Sequence, residues 1–407
     1  LFIGMRPDDP FDVPFKGLID DILIYDRPLN ESEIKEIKNG KKPIPLYNGP
    51  IWYVSKGGSD DFGNGSNNLP FSTIQKAIDQ CQSDHEIKVD EGIYYEDLDF
   101  KLKNVNLVSI HGANSTIIHG TGEKAVIEFL RGETDKAILD GFTIENGRCG
   151  LNIRFSSPTI KNCVFRKNDA GWGGGGIYLK ESKSLIFNCH IYENRAHHGG
   201  GIFFDNTRGA AMVKCILENN GGVEGKATQQ LGGHSVIMLN CTIVNNFWDR
   251  GLGATGQRGS VNGAFRILNS IIYDKEVNRV FYHAEQMTIV NSYISPTDYK
   301  IDSHNIYNSG ITIKNGKASV ALPQTSILIG GGTFDTSFFR DFNRSLFENL
   351  HEDEEVYPRP VNSNPDVGAI EYDLGQPIGL YILNQPESKI VIKGMAVTFD
   401  INVIGSG

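Results

Sequence analysis

The sequence predicts an all-β solenoid: a parallel β-helix with coils of about 26 residues and a short helix over its N-terminal end. Three observations predict it. Four cysteines, Cys163, Cys189, Cys215 and Cys241, recur at a constant interval of 26 residues. Each opens an apolar stretch that closes on an asparagine: Asn168, Asn194, Asn220 and Asn246. The stretches themselves, such as Ile186-Phe-Asn-Cys-His-Ile-Tyr-Glu-Asn194, are short, β-branched and bounded by Asn and Gly, whereas a helical repeat needs apolar residues at i, i+3 and i+4 over a longer run. A coil of this length holds about three short strands, and because one repeat cannot bury its own apolar face, stacking must.

The stack is expected to begin with a cap. Pro70 to Asp79 reads as a helix with Ser72 as N-cap and Gln75 completing a capping box, and Ile74, Ala77, Ile78 and Cys81 share one face. Such a lid covers apolar core and unpaired strand edge that the first coil would otherwise expose. Weaker coils extend the stack at Leu139 to Asn146, Ile267 to Asp274 and Ile289 to Ile294. Ser270 and Ser292 take the cysteine position there, so it demands a small side chain.

In register, Asn162, Asn188 and Asn240 form one column, interrupted by Lys214, and Asn168, Asn194, Asn220 and Asn246 form another. Asparagine tolerates left-handed backbone, and its amide can bond the amide one coil away, about 4.8 Å distant, so both columns are expected to be structural ladders. The glycine runs 173–176 and 199–201 are read as tight corners, since no Lys-Ser/Thr follows to make a phosphate loop. The cysteines are read as reduced, buried small hydrophobes. Side chains lined up along an axis neither converge as metal ligands nor meet the dihedral of a disulfide.

Tyr53-Val-Ser-Lys-Gly-Gly-Ser-Asp60, the capping helix, Glu91-Gly-Ile-Tyr-Tyr95 and the Asn-Cys coils resemble the pectin-lyase-like right-handed β-helix proteins of bacterial cell surfaces. With Pro365-Asp-Val-Gly-Ala-Ile-Glu-Tyr372 after the coils, the chain is similar to the secreted bacterial "choice-of-anchor" β-helix proteins. Phe165-Arg-Lys-Asn168 and Gly175-Gly-Ile177 echo the repeats of polymorphic outer-membrane adhesins. The resemblance implies a secreted or surface-displayed module; it speaks to fold more than to activity.

Residues 1–42 resemble the C-terminal end of a laminin-G or concanavalin-A-like jelly roll, 43–50 a linker, 51–374 the right-handed β-helix, and 375–407 a linker with the first strands of an immunoglobulin-like domain. The natural protein is therefore expected to be longer, a chain of modules. With 39 Lys plus Arg against 49 Asp plus Glu, the net charge of −10 disfavours nucleic acid as a partner. No apolar run reaches the roughly 18 residues that a membrane span needs.

Function is sought on one face, because repeat insertions map together. Connections are short after Asn168 and Asn194 and lengthen over Gly221 to His234 and Phe247 to Asn262. The period brings Trp172, His198, Glu224 and Arg250 into approximate register, with Asp169 beside Arg195 and His197 beside Asp249. Trp172, Arg195, His197, His198, Glu224, Arg250 and Arg258 are the expected contact residues for a polysaccharide or cell-surface glycan, bound by a monomeric extracellular module acting in adhesion or recognition.

The alternative is a lyase of an acidic glycan. His197, His198, Lys226 or His234 would then be the base, and Arg195, Arg250 or Arg258 would neutralise the uronate carboxylate. The calcium-binding aspartate cluster of pectate lyases and the motif set of polygalacturonases are both missing, and Asp205, Glu224 and Asp249 have no diagnostic hydrolase spacing. Asp169 and Arg195 are equally readable as an exposed ion pair worth under about 1 kcal/mol. No resident cofactor or metal is expected. The one place suited to Ca2+ is the turn from Asp60 to Asn64, which also reads as an ordinary turn.

Overall fold

A computed structural model describes residues 29, 31–39, 45–207, 209–232, 236–246 and 261–273, and short strand segments at 281–282, 288–290, 292–294, 312–313, 320–321, 381–384 and 402–404. The chain divides into two compact units, Leu1–Leu46 and Tyr47–Gly407. The second unit begins at Tyr47, which packs edge-on to Trp52 with ring centroids 5.3 Å apart. In the first unit the described element is the helix Glu31–Lys38.

The second unit holds the right-handed parallel β-helix. Three sheets run its length. Sheet I, ten strands, starts at Ile51–Val54 and includes Thr159–Lys161, Leu185–Phe187 and Ala211–Val213. Sheet II, nine strands, starts at Gly92–Tyr95 and includes Val164–Arg166, His190–Tyr192 and Ile216–Glu218. Sheet III, eight strands, includes Cys149–Arg154, Ile177–Lys180, Ile202–Asp205 and Thr228–Leu231. After Ile51–Val54 the chain passes through the capping helix and re-enters sheet I at Glu86–Val89, and from there the described coils visit I, II and III in turn. Pairing is parallel and in register, as in Phe165↔Ile191 and Ile191↔Leu217, so one side chain per strand position forms a column down the stack. The inward columns, with Ile160, Ile186 and Met212 from sheet I and Phe165, Ile191 and Leu217 from sheet II, are fully buried and form one continuous core.

The corner from sheet I to sheet II takes two residues. The first has left-handed backbone: Asn162, Asn188, Lys214, Asn240 and Asn269 have φ of 49–54°. The second is the cysteine or serine, whose side chain turns inward and donates to the carbonyl two residues before it, Cys163 Sγ to Lys161 O at 3.1 Å and Ser270 Oγ to Leu268 O at 2.9 Å. One coil earlier Phe142 fills the same inward position, so the small side chain belongs to the coils from Cys163 onward. All six cysteines are free and buried, and burial pushes the Cys81 thiol up to about 11 and the Cys149 thiol up to about 12.

Both asparagine columns are laddered, the first near the surface, where Asn188 Nδ2 donates to Asn162 Oδ1 at 2.9 Å and Asn162 Nδ2 to Asp140 Oδ1 at 2.8 Å, and the second in the interior. In the second column the left-handed residue is the one before, Lys167, Glu193, Asn219 and Asn245, at φ of 52–55°. Asn168, Asn194, Asn220 and Asn246 are buried instead, with their amides in a continuous ladder. The Asn220 Oδ1 accepts from both the backbone N–H and the Nδ2 of Asn194, each at 3.1 Å, and its own Nδ2 donates to Ile191 O at 2.8 Å. The other members repeat the pattern, satisfying backbone groups that the turn from sheet II removes from sheet pairing.

The cap is the helix Ile74–Gln80, with Ile74, Ala77 and Ile78 buried against the first coils. Its N-cap is Thr73, one residue later than the sequence suggests, with Oγ1 accepting from Lys76 N at 3.3 Å. The capping box gives way to Glu96 from the next coil, whose carboxylate accepts from Ile74 N at 2.8 Å and Gln75 N at 2.9 Å. Gln75 instead bonds the backbone of Asp99 in both directions.

Two outcomes follow. Thiol reagents should find all six cysteines of the denatured chain without reductant and none quickly in the native protein; an unreduced denatured count of two or fewer contradicts the inward column. Asn220→Ala strands ladder partners on two coils and should cost more than about 3 kcal/mol in urea unfolding, since each orphaned buried group costs about 1–3 kcal/mol; a loss below about 1 kcal/mol contradicts the ladder.

Candidate functional site

Beyond the asparagine ladder the chain does not turn directly into sheet III. It first forms a ledge of stacked short segments, in which Asp169 pairs with Arg195, Gly173 with His198, Arg195 with Gly221 and His198 with Glu224. It then folds back through glycines. Gly174, Gly199 and Gly225 share one column at φ of +66°, +56° and +66°. A Cβ on Gly200 would sit 2.2 Å from Gly221 O, so side chains are excluded where the ledge crosses the sheet.

That fold-back lays the ledge over the outer face of sheet III, where Tyr178, Phe203 and Gln229 form a column. The His198 ring stacks on Phe203 with centroids 5.6 Å apart and planes 25° apart. Trp172 meets His198 edge-on at 4.8 Å and Phe203 at 5.6 Å, yet remains 61 % exposed. An indole held on two sides and open on another is a flat, preorganised apolar platform.

His198 is tied from below. Its Nδ1 lies 3.0 Å from Gln229 Oε1 and 3.3 Å from a Glu224 carboxylate oxygen, and Gln229 Nε2 donates to that same carboxylate at 3.2 Å. Both neighbours of Nδ1 are acceptors, which assigns the proton to Nδ1 and leaves the lone pair on Nε2. Burial lowers the His198 pKa, assisted by His197 and opposed by Gln229 and Glu224, so the ring is neutral near pH 7.

The structure thus joins Trp172, His198 and Glu224 but divides the rest of the expected set. Strand alternation puts Arg195 and His197 on the exposed side of Arg195–His198, while Ala196 and His198 face sheet III. His197 still touches His198, with ring centroids 4.3 Å apart, but the proposed pairing of His198 as base with Arg195 as neutraliser is split between two faces. Asp169 and Arg195 are backbone neighbours whose side chains form no ion pair among the described residues. Lys226 is buried in the glycine turn. Asp205 accepts from Tyr178 Oη at 2.7 Å and lies 3.9 Å from Lys180 Nζ. His234, Asp249, Arg250 and Arg258 lie outside the described residues.

Phe203, Gln229, Tyr178 and Arg154 also belong to this face and were not among the expected contacts. The Arg154 guanidinium lies 5.0 Å over the Tyr178 ring and its Nε donates to Asn152 Oδ1 at 3.0 Å. The signal was strand alternation: Leu151 and Ile153 point inward, so Asn152 and Arg154 must point out. Asp60 Oδ1 accepts from Ser72 N and Thr73 N at 2.9 and 3.1 Å and Oδ2 from Thr73 Oγ1 at 2.6 Å, which ties the turn to the cap. Among the described residues no three His, Cys, Asp or Glu side chains converge on a point.

A family model described as the right handed beta helix region matches residues 92–265. Pectate lyase Pel9A is similar at 16 % identity over 81 % of this chain and 98 % of its own, with a TM-score of 0.46. A pectin methylesterase solved with a hexasaccharide is similar at 13 % identity over 65 % of this chain and 93 % of its own, TM-score 0.40. XylC in complex with xylose is similar at 10 % identity over 79 % of this chain and 98 % of its own, TM-score 0.37. No curated protein matches the sequence.

The depressed His198 pKa has a measurable consequence. The unfolded chain takes up a proton near the ordinary histidine pKa of about 6.5 while the folded ring resists it, so this contribution is whole above that pH and is lost as pH falls through the lower folded value. Wild-type protein should therefore lose more thermal stability between about pH 7.5 and about pH 5.5 than His198→Gln does; parallel pH profiles contradict the buried neutral ring.

Proposed function

We propose that this chain is a polysaccharide-recognition module, extracellular or displayed on a bacterial surface within a larger multidomain protein, and that glycan lies on the ledge over sheet III. The observation that carries the reading is Trp172, 61 % exposed and braced by His198 and Phe203. Pyranose rings present apolar C–H faces that stack on such a platform, while Arg154, Tyr178 and the ledge backbone supply polar contacts around it. No helix among the described residues is long and apolar enough to cross a membrane. The likeness to pectin-acting enzymes above is one of fold and adds no weight to the substrate.

A second reading, a lyase of an acidic glycan, is favoured by one feature: His198 is a neutral imidazole oriented through Nδ1 by Gln229 and Glu224, as a general base must be. In that reaction His198 Nε2 would take the proton beside a uronate carboxylate, the C–H electron pair would form the ring double bond, and the glycosidic oxygen would leave and collect a proton. Arg154 and Lys180, rather than Arg195, are the cations on the outer face of sheet III that His198 faces.

Trp172→Ala should weaken glycan binding at least tenfold while changing stability by under about 1 kcal/mol, as is usual for an exposed position. Glycan-array binding and ultraviolet absorbance from unsaturated uronate on the same preparation separate the readings. Binding without new absorbance supports recognition, absorbance that His198→Gln abolishes supports the lyase, and unchanged binding by Trp172→Ala overturns the ledge as the site.

A further inference from the structure

Sheet II carries a second organised surface, on the side of the coil away from its buried column. Tyr95, His119, Glu145, Arg166 and Tyr192 occupy one outward register position on five successive coils. They are joined end to end. Tyr95 lies edge-on to His119 at 5.1 Å; His119 Nδ1 is 2.9 Å from Glu145 Oε1; Arg166 Nε donates to Glu145 Oε2 at 2.7 Å; Arg166 Nη1 donates to Tyr192 Oη at 3.2 Å. Each rotamer is thereby fixed before anything binds.

Stack stabilisation alone does not account for what this ribbon leaves over. The Glu145 carboxylate is taken on both oxygens, and burial, which raises its pKa, is outweighed by the His119 and Arg166 hydrogen bonds and the Arg166 charge, so it stays ionised. Arg166 is likewise held protonated by Tyr192 and Glu145 against the effect of burial. The pair cancels in charge. His119 donates from Nδ1, which leaves its Nε2 as an acceptor; Arg166 keeps Nη2, and Tyr192 keeps its own hydroxyl proton, as donors. At one end stands Tyr95, 70 % exposed, beside Ile93, 42 % exposed. Down the neighbouring outward column from Ile93 come Ile117 and, two coils further, the half-buried Val164.

We propose that this ribbon is a second binding face, for an uncharged polysaccharide lying along the axis of the stack. Sugar hydroxyls both donate and accept, which matches one free acceptor and two donors on a ribbon whose ion pair cancels, and the pyranose C–H faces match the Ile93 column and the Tyr95 ring. The period matches too. Coils repeat every roughly 4.8 Å, close to the advance of one pyranose along an extended chain, so successive sugar residues meet successive coils. A polyanion would find the one strong cation, Arg166, already neutralised by Glu145.

The test uses the whole chain, with hexasaccharides of β-1,4-linked glucose, mannose and xylose and with hexagalacturonate as probes, by calorimetric titration. Tyr95→Ala should weaken one of the neutral hexasaccharides at least tenfold and Tyr192→Phe about threefold, with thermal unfolding of Tyr95→Ala unchanged because its ring is exposed. Wild-type affinity in both variants overturns the second face, and leaves the ledge standing if Trp172→Ala has lost binding. Tyr95-dependent binding of hexagalacturonate in preference to every neutral probe overturns the uncharged class. Failure of all probes to bind the wild-type protein overturns both faces.

Discussion

The structure depends on one repeated interaction: a buried asparagine that replaces strand pairing where four successive coils leave sheet II. A parallel β-helix must break its backbone ladders at every corner, and groups freed there cannot reach water once the next coil is stacked on top. Asn168, Asn194, Asn220 and Asn246 solve this with an amide that both accepts and donates across the coil spacing. No other short side chain carries both functions on one rigid plane. Because each amide bonds its own copy, the solution forces the coils into exact register, and the inward Cys163 and Phe165 columns inherit that order.

The ledge is a consequence of the same lock. Arg195 N donates to Asn168 O and Gly221 N to Asn194 O, both within 2.9 Å, so the segment after each asparagine leaves the corner already paired to its neighbour. The left-handed glycine column then returns it over sheet III, and the Trp172, His198 and Glu224 positions meet above Phe203 and Gln229. Side chains far apart in sequence are thereby held to within hydrogen-bonding distance by backbone alone. The outward ribbon of sheet II is ordered by the same register, which puts one residue of the ribbon on every coil.

Much of this was legible in the sequence because a period is a geometric statement. Cys163 with its copies predicted an inward column, the Asn-ended stretches predicted strands, and the spacing from Trp172 to His198 to Glu224 predicted their meeting. What period cannot show is which side of a strand faces where after a turn. Arg195 and His197 were grouped with His198, although alternation within Arg195–His198 separates them. Alternation alone marks Arg154 as outward, and the Tyr95-to-Tyr192 ribbon is hidden from a period because its spacings, 24 residues from Tyr95 to His119 and 21 from Glu145 to Arg166, depart from the regular interval. The cap shows a different limit: Ser72 and Gln75 fit a local capping box, but Glu96, distant in sequence, supplies a full carboxylate to the same N–H groups and wins.

Native-state hydrogen exchange tests the central claim most directly. If the asparagine column locks the corners, the amides of Asn168, Asn194 and Asn220, each donating to the next asparagine's Oδ1, should exchange only when the whole stack unfolds, with the same free energy as the buried strands of sheet II. Exchange of those three amides on the timescale of the exposed corners, while the sheet amides stay protected, would contradict it.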